Sequence, residues 1–184
     1  MHSLSTAPSS ISSVDDPTSR KHRDFREGKA MKKTPTQDTQ LIRQLEELYG
    51  EPEIRRARLW WRNEFWPESA ADYLRVEAAL GTPENAWLGH VVNYWGMAAT
   101  LVLNGTLSEQ IFLDAAFSDE MFEVFGKVQP FLKGLRRRAR KPGLLRNIEQ
   151  LINGSKQARQ RLAIMLKQSV ICRKDPAERL ARAC

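Results

Sequence analysis

The chain of 184 residues has little of what usually announces a chemistry. It carries two cysteines, one of them the last residue, which excludes a disulfide framework. Its three histidines stand far apart, at 2, 22 and 90, so no cysteine or histidine pair has zinc-ligand spacing. Glycine-rich phosphate loops are missing, as are the HExxH and GxSxG patterns. Long apolar runs are missing too. The longest, residues 91–103, contains Asn93 and falls short of the ~20 residues that cross a bilayer. Residues 1–30 hold no apolar core of a secretory signal, and Asp15, Asp16, Asp24 and Glu27 argue against a transit peptide. The expectation is a cytoplasmic protein with no transmembrane segment, no metal and no cofactor.

What the sequence does contain is helical periodicity. Residues 1–36 are polar and punctuated by Pro8, Pro17 and Pro35, and cannot bury enough apolar surface to offset chain entropy; they are expected to form a disordered tail. Met31-Lys32-Lys33 resembles a natural translation start, so residues 1–30 are read as a mis-called start or a dispensable tail. From residue 37 to 184 one helical domain is expected. Leu41, Leu45, Leu48 and Tyr49 form a first stripe. Pro52 opens a second helix that groups Ile54, Trp61 and Phe65, with Arg55, Arg56, Arg58 and Arg62 facing elsewhere. A short third helix ends at Gly81. Thr82-Pro83-Glu84 then starts the clearest helix, buried on most faces, which Asn104-Gly105 ends. Thr106 and Glu109 have capping-box spacing, Ser118 is a candidate cap, and Pro130 should bend or split the helix that follows. Leu144, Leu145, Ile148, Leu151 and Ile152 mark another helix, and Ser155 caps a last one. No segment alternates with period two. The fold class expected is all-α, a single bundle of about six to eight helices.

Charge is unevenly spread over the 29 Lys+Arg and 22 Asp+Glu. Residues 82–126 hold six acids and no Lys or Arg, whereas residues 133–174 hold thirteen basic residues and one acid, Glu149. Arg136, Arg137, Arg138, Arg140 and Lys141 are the densest part and the candidate anion- or nucleic-acid-binding residues. The plainer explanation is that these cations complement a helix dipole or face the acidic half of the same molecule. Against stacking on single strands, residues 133–174 contain no Trp, Tyr or Phe.

A second dense group is aromatic. Trp60, Trp61, Phe65 and Trp66 cannot all point one way on a helix, so at least one Trp should reach the surface or a loop. Core packing at a helix corner is one reading. The other is a protein interface built on Trp60, Trp61, Arg62 and Trp66, because Trp and Arg are enriched in interaction hot spots. His90 could be a general base, yet nothing in the sequence joins it to Glu68, Asp72 or Glu77; a packed or rim histidine is the plainer reading. Cys172, beside Arg173 and Lys174, would have a lowered pKa only if exposed, and a cysteine near a frayed end is the simpler account.

Three stretches carry a family resemblance: VVNYWGMAATLVLNGTLSEQIF, MFEVFGKVQPFLKGLRRR and KPGLLRNIEQLI. Over residues 91–152 the chain resembles the bacterial domain-of-unknown-function family 4760. The resemblance implies a helix closed by an Asn-Gly turn, a short capped helix, an aromatic helix running into arginines, and a closing helix. It implies no activity, cofactor or catalytic residue. Where the family usually has a Glu after the aromatic pair, this chain has Gly96. The function expected from all of this is a non-enzymatic interaction module with a protein partner or a second copy of itself. The alternative is a nucleic-acid-binding protein using the basic segment, and a hydrolase or transferase around His90 comes third.

Overall fold

Proline and short polar side chains set the starts of five of the described helices. The computed structural model describes residues 35–174, with side chains for 36–167, and its regular structure is entirely helical. The elements are α1 (Pro35–Gly50), α2 (Pro52–Asn63), α3 (Ala70–Ala78), α4 (Pro83–Leu103), α5 (Glu109–Asp114), α6 (Asp119–Val128), α7 (Leu132–Ala139), α8 (Arg146–Gly154) and α9 (Lys156–Lys174). The expected tail lies outside the described residues except for its last two positions, which α1 includes. The side chain of Cys172 also lies outside them.

Local chemistry accounts for several boundaries. Helices α1, α2 and α4 begin at a proline, whose fixed φ suits the first turn and whose missing N–H is not needed there. Thr82 Oγ1 accepts from the Asn85 N–H at 3.3 Å to open α4, and Ser155 Oγ accepts from the Ala158 N–H at 3.2 Å to open α9. Ser69 and Asp72 form a reciprocal capping box at α3. Gly105, at φ +65°, ends α4 in the left-handed region. Pro130 sits in a 3₁₀ turn, Gln129–Phe131, that divides the predicted long helix into α6 and α7.

Helix α4 is the hub. It packs against α2 and α8, and more lightly against α3, α5 and α6. Leu88, Val91, Tyr94, Trp95, Ala98, Ala99 and Val102 are buried along it, while His90, Asn93, Met97 and Leu103 mark its exposed strip. Burying one such large side chain contributes roughly 1.5–3 kcal/mol. Helix α9 completes the core through Ala158 and Leu162. It approaches α6 closely enough that a Cβ on Gly126 would stand 3.1 Å from Leu166 Cδ2.

Three local expectations are corrected by long-range bonds and burial. Thr106 does not cap the next helix; α5 starts at Glu109, and Asp38 Oδ1 of α1 accepts the Ser108 N–H at 3.1 Å. Ser118 does not cap α6, because its hydroxyl is buried and donates to the Leu113 carbonyl at 3.4 Å. Leu144 and Leu145 belong to the turn before α8, where Leu145 takes φ +55° to bury its side chain.

Candidate anion-binding surface

The two groups singled out in the sequence meet opposite fates. Around α2, a buried carboxylate on α6 gathers Arg58, Arg62 and the Tyr49 hydroxyl. Glu120 sits in the first turn of α6, where the helix dipole favours an acid, and its side chain is only 3% exposed. Arg58 grips it through Nε, 3.0 Å from Oε1 and 3.1 Å from Oε2, and through Nη2, 3.0 Å from Oε2. Arg62 Nη2 and the Tyr49 hydroxyl each donate to Oε2 at 3.0 Å. Arg58 also lies over the Tyr49 ring and donates through Nη1 to the Tyr49 carbonyl at 3.2 Å, closing the end of α1. The expectation that Arg58 and Arg62 face away is therefore corrected: a desolvated carboxylate requires hydrogen-bonded cations. Burial, reinforced by the charge of Glu120, pushes the Tyr49 phenol up to about 12.

Lys127 of α6 is buried beside this network. Its Nζ donates to the carbonyls of Trp61, Arg62 and Phe65, satisfying the end of α2, and it lies 3.6 Å from the centroid of the Trp66 ring. Glu123 adds ion pairs to Arg62 Nε at 3.5 Å and to Lys127 at 3.9 Å.

Of the aromatic interface expected at Trp60, Trp61, Arg62 and Trp66, the two adjacent tryptophans are buried, whereas Arg62 remains exposed and Trp66 half-buried. Trp61 is fully buried and Trp60 nearly so; Trp60 stacks on Phe65 at 4.6 Å and meets Trp87 of α4 at 6.0 Å. Two adjacent tryptophans both go inward because α2 is embraced on one side by α4 and bonded on another by α6. Trp66 is half-buried, with Nε1 donating to the Asn63 carbonyl at 3.2 Å. Leu59, 51% exposed, is the large side chain of this stretch that points outward.

The basic segment divides into structural and uncommitted cations. Arg136 is structural: its Nη1 lies 2.8 Å from Glu149 and its Nε donates to the Leu144 carbonyl at 3.0 Å, pinning the α7–α8 turn. Its place among the anion-binding residues is corrected accordingly. Lys141 meets Glu77 of α3 at 2.6 Å. Arg161 of α9 meets Asp119 at 2.7 Å. Arg137, Arg138 and Arg140 are exposed, and among the described residues no carboxylate pairs with them. Lys133, one helical turn before Arg137, is exposed and unpaired in the same way. Its i,i+4 spacing to Arg137 was the signal that could have added it to the candidate set. Arg140 closes α7 in the left-handed region, at φ 54° and ψ 31°.

Other places offer less. The cleft where Trp66, Phe122, Glu123, Lys127 and Met165 meet holds about 50 Å³, room for water rather than a substrate, and the wider hollow of about 370 Å³ beside Asp114, Gln157 and Arg161 lies open to solvent. His90 is exposed on α4, Asp72 is engaged in capping α3 and Glu77 in holding Lys141, so no described acid orients the imidazole. Among the described residues no group of His, Cys, Asp and Glu could hold a metal ion, and no helix is long and apolar enough to cross a membrane.

No curated protein and no solved structure matches the chain. The resemblance read over residues 91–152 widens in the comparison with families to take in every helix from α1 to α8. The model described as "Domain of unknown function (DUF4760)" matches residues 35–155, and the chain belongs to that family.

Proposed function

We propose that this chain is a non-enzymatic binding module whose partner is anionic and is met by the exposed cations around the end of α7. The observation that carries this reading is that Arg137, Arg138 and Arg140 are exposed and lack any acid of their own among the described residues. Internal charge matching accounts for the acids at the start of α6. Asp119, Glu120 and Glu123 are answered by Arg161, Arg58, Arg62 and Lys127. A dipole role at the end of α7 accounts for only about 0.3–1 kcal/mol per cation and does not call for three so close together. Exposed His90 without an orienting acid supports binding over catalysis. Burial of Trp60 and Trp61 removes the support for an aromatic protein interface on α2.

The test is retention of the full chain on immobilised heparin in a rising salt gradient. The parent should be held, and a variant with Arg137→Ser, Arg138→Ser and Arg140→Ser should elute at clearly lower salt with an unchanged far-ultraviolet spectrum. A parent that flows through at low salt removes the reading.

A further inference from the structure

We infer that the anionic partner is a duplex nucleic acid, held through its phosphates and not through its bases; this rests on the anion-binding reading above. Three observations choose that partner. The uncommitted side chains are mainly arginines, whose planar forks suit phosphate oxygens. Among the described residues no Trp, Tyr or Phe is exposed. Bases of a single strand therefore find no platform to stack on, and a protein partner finds none of the aromatic anchors that dominate hot spots. A cluster of exposed cations without an exposed aromatic ring suits a duplex, which presents one negative charge per ~1.7 Å of its axis.

The third observation is the backbone of Arg140. Glycine or asparagine normally takes the left-handed position that closes a helix. Leu145 adopts the same region at φ 55°, but its apolar side chain is buried, which offsets the strain. Arg140, at φ 54°, is exposed, and its side chain makes no hydrogen bond or ion pair among the described residues. Among the described residues no side-chain bond rewards an arginine there, and the helix dipole offers a cation only about 0.3–1 kcal/mol. Strain of this kind collects at ligand contacts, and Arg140 stands beside Arg137 and Arg138, at the tip of the basic surface.

The experiment measures binding of the full chain to a labelled generic DNA duplex between 50 and 200 mM salt, beside the single strand, polyglutamate and phosphatidylserine vesicles. The duplex should bind best. Replacing Arg137, Arg138 and Arg140 by Ser should flatten the slope of log K against log salt by about 2.7, the loss of three phosphate contacts. A control of equal charge, Arg43→Ser with Arg56→Ser and Arg75→Ser, should leave most of the binding. Arg140→Gly separates contact from folding: it should raise the melting temperature by about 3 °C and still weaken duplex binding. Equal loss in the control, tighter binding of the single strand or the vesicles, or an Arg140→Gly variant that binds as the parent does would each overturn the inference. Retention on heparin or polyglutamate without duplex binding would overturn it and leave the anionic-partner reading standing. Loss of every polyanion would remove both.

Discussion

Glu120 is the most heavily engaged side chain described, accepting from Arg58, Arg62 and Tyr49 in a site almost closed to water. Removing one partner of a buried charge set leaves the others desolvated and unpaired, which is costlier than losing an exposed pair. Glu120→Ala should therefore cost about 3 kcal/mol in urea unfolding, with Glu120→Gln costing less. A loss under about 1 kcal/mol for the alanine variant would contradict the picture of a buried anchor. The same reasoning separates two neighbours in the basic run. Arg136→Ala should lower stability by about 1–3 kcal/mol, because the Leu144 carbonyl and Glu149 lose their donor. Arg137→Ala should leave the melting temperature nearly unchanged. In the sequence these arginines are indistinguishable. Helical spacing told which ones could share a face, but not that a turn and α8 would fold back onto Arg136.

Helix α1 shows how an element is held by groups far from it in sequence. Its apolar stripe, Leu41, Ile42, Leu45 and Tyr49, was legible because burial on one face imposes a helical period. Its polar latches were not. Asp38 accepts the Ser108 N–H, and the Tyr94 hydroxyl donates to the Leu45 carbonyl at 2.9 Å. Asp38→Ala should cost about 1 kcal/mol, the value of a lost cap. It should also speed amide exchange in α1 and at the start of α5 while sparing α8. Equal change in all three helices would mean global loosening instead of a released latch. Helix starts whose cap lies within three residues, at Thr82 and Ser155, could be read directly. The start of α5 could not, since its acceptor comes from seventy residues away.

For the molecule as a whole, the buried tyrosines set an alkaline limit. Tyr49 is pushed up to about 12, first by burial and then by Glu120, while burial pushes Tyr73 and Tyr94 up further still. A phenol whose folded pKa is raised stays neutral in the folded state while the unfolded chain loses its proton. Its contribution is fully present below the ordinary value near 10 and is lost as pH rises from there toward 12. The melting temperature should be level from about pH 7 to 9 and fall above about pH 10, with a shallower fall in Tyr94→Phe. A level profile through pH 11 would contradict the burial of these hydroxyls.

Periodicity, proline and capping residues were enough to establish an all-helical chain and to place most of its helices, because those signals act within one or two turns. The run of basic residues by itself marked 136–141 as the place where charge accumulates. What no local pattern could decide was which charged and aromatic side chains stay outside. Trp60 and Trp61 were drawn in because α2 is covered by α4 and tied to α6, and Arg58 followed because Glu120 needed a cation. Arg137, Arg138 and Arg140 were left to the solvent because no described acid folds against them. That partition depends on which helices meet, and so it belongs to the packed molecule.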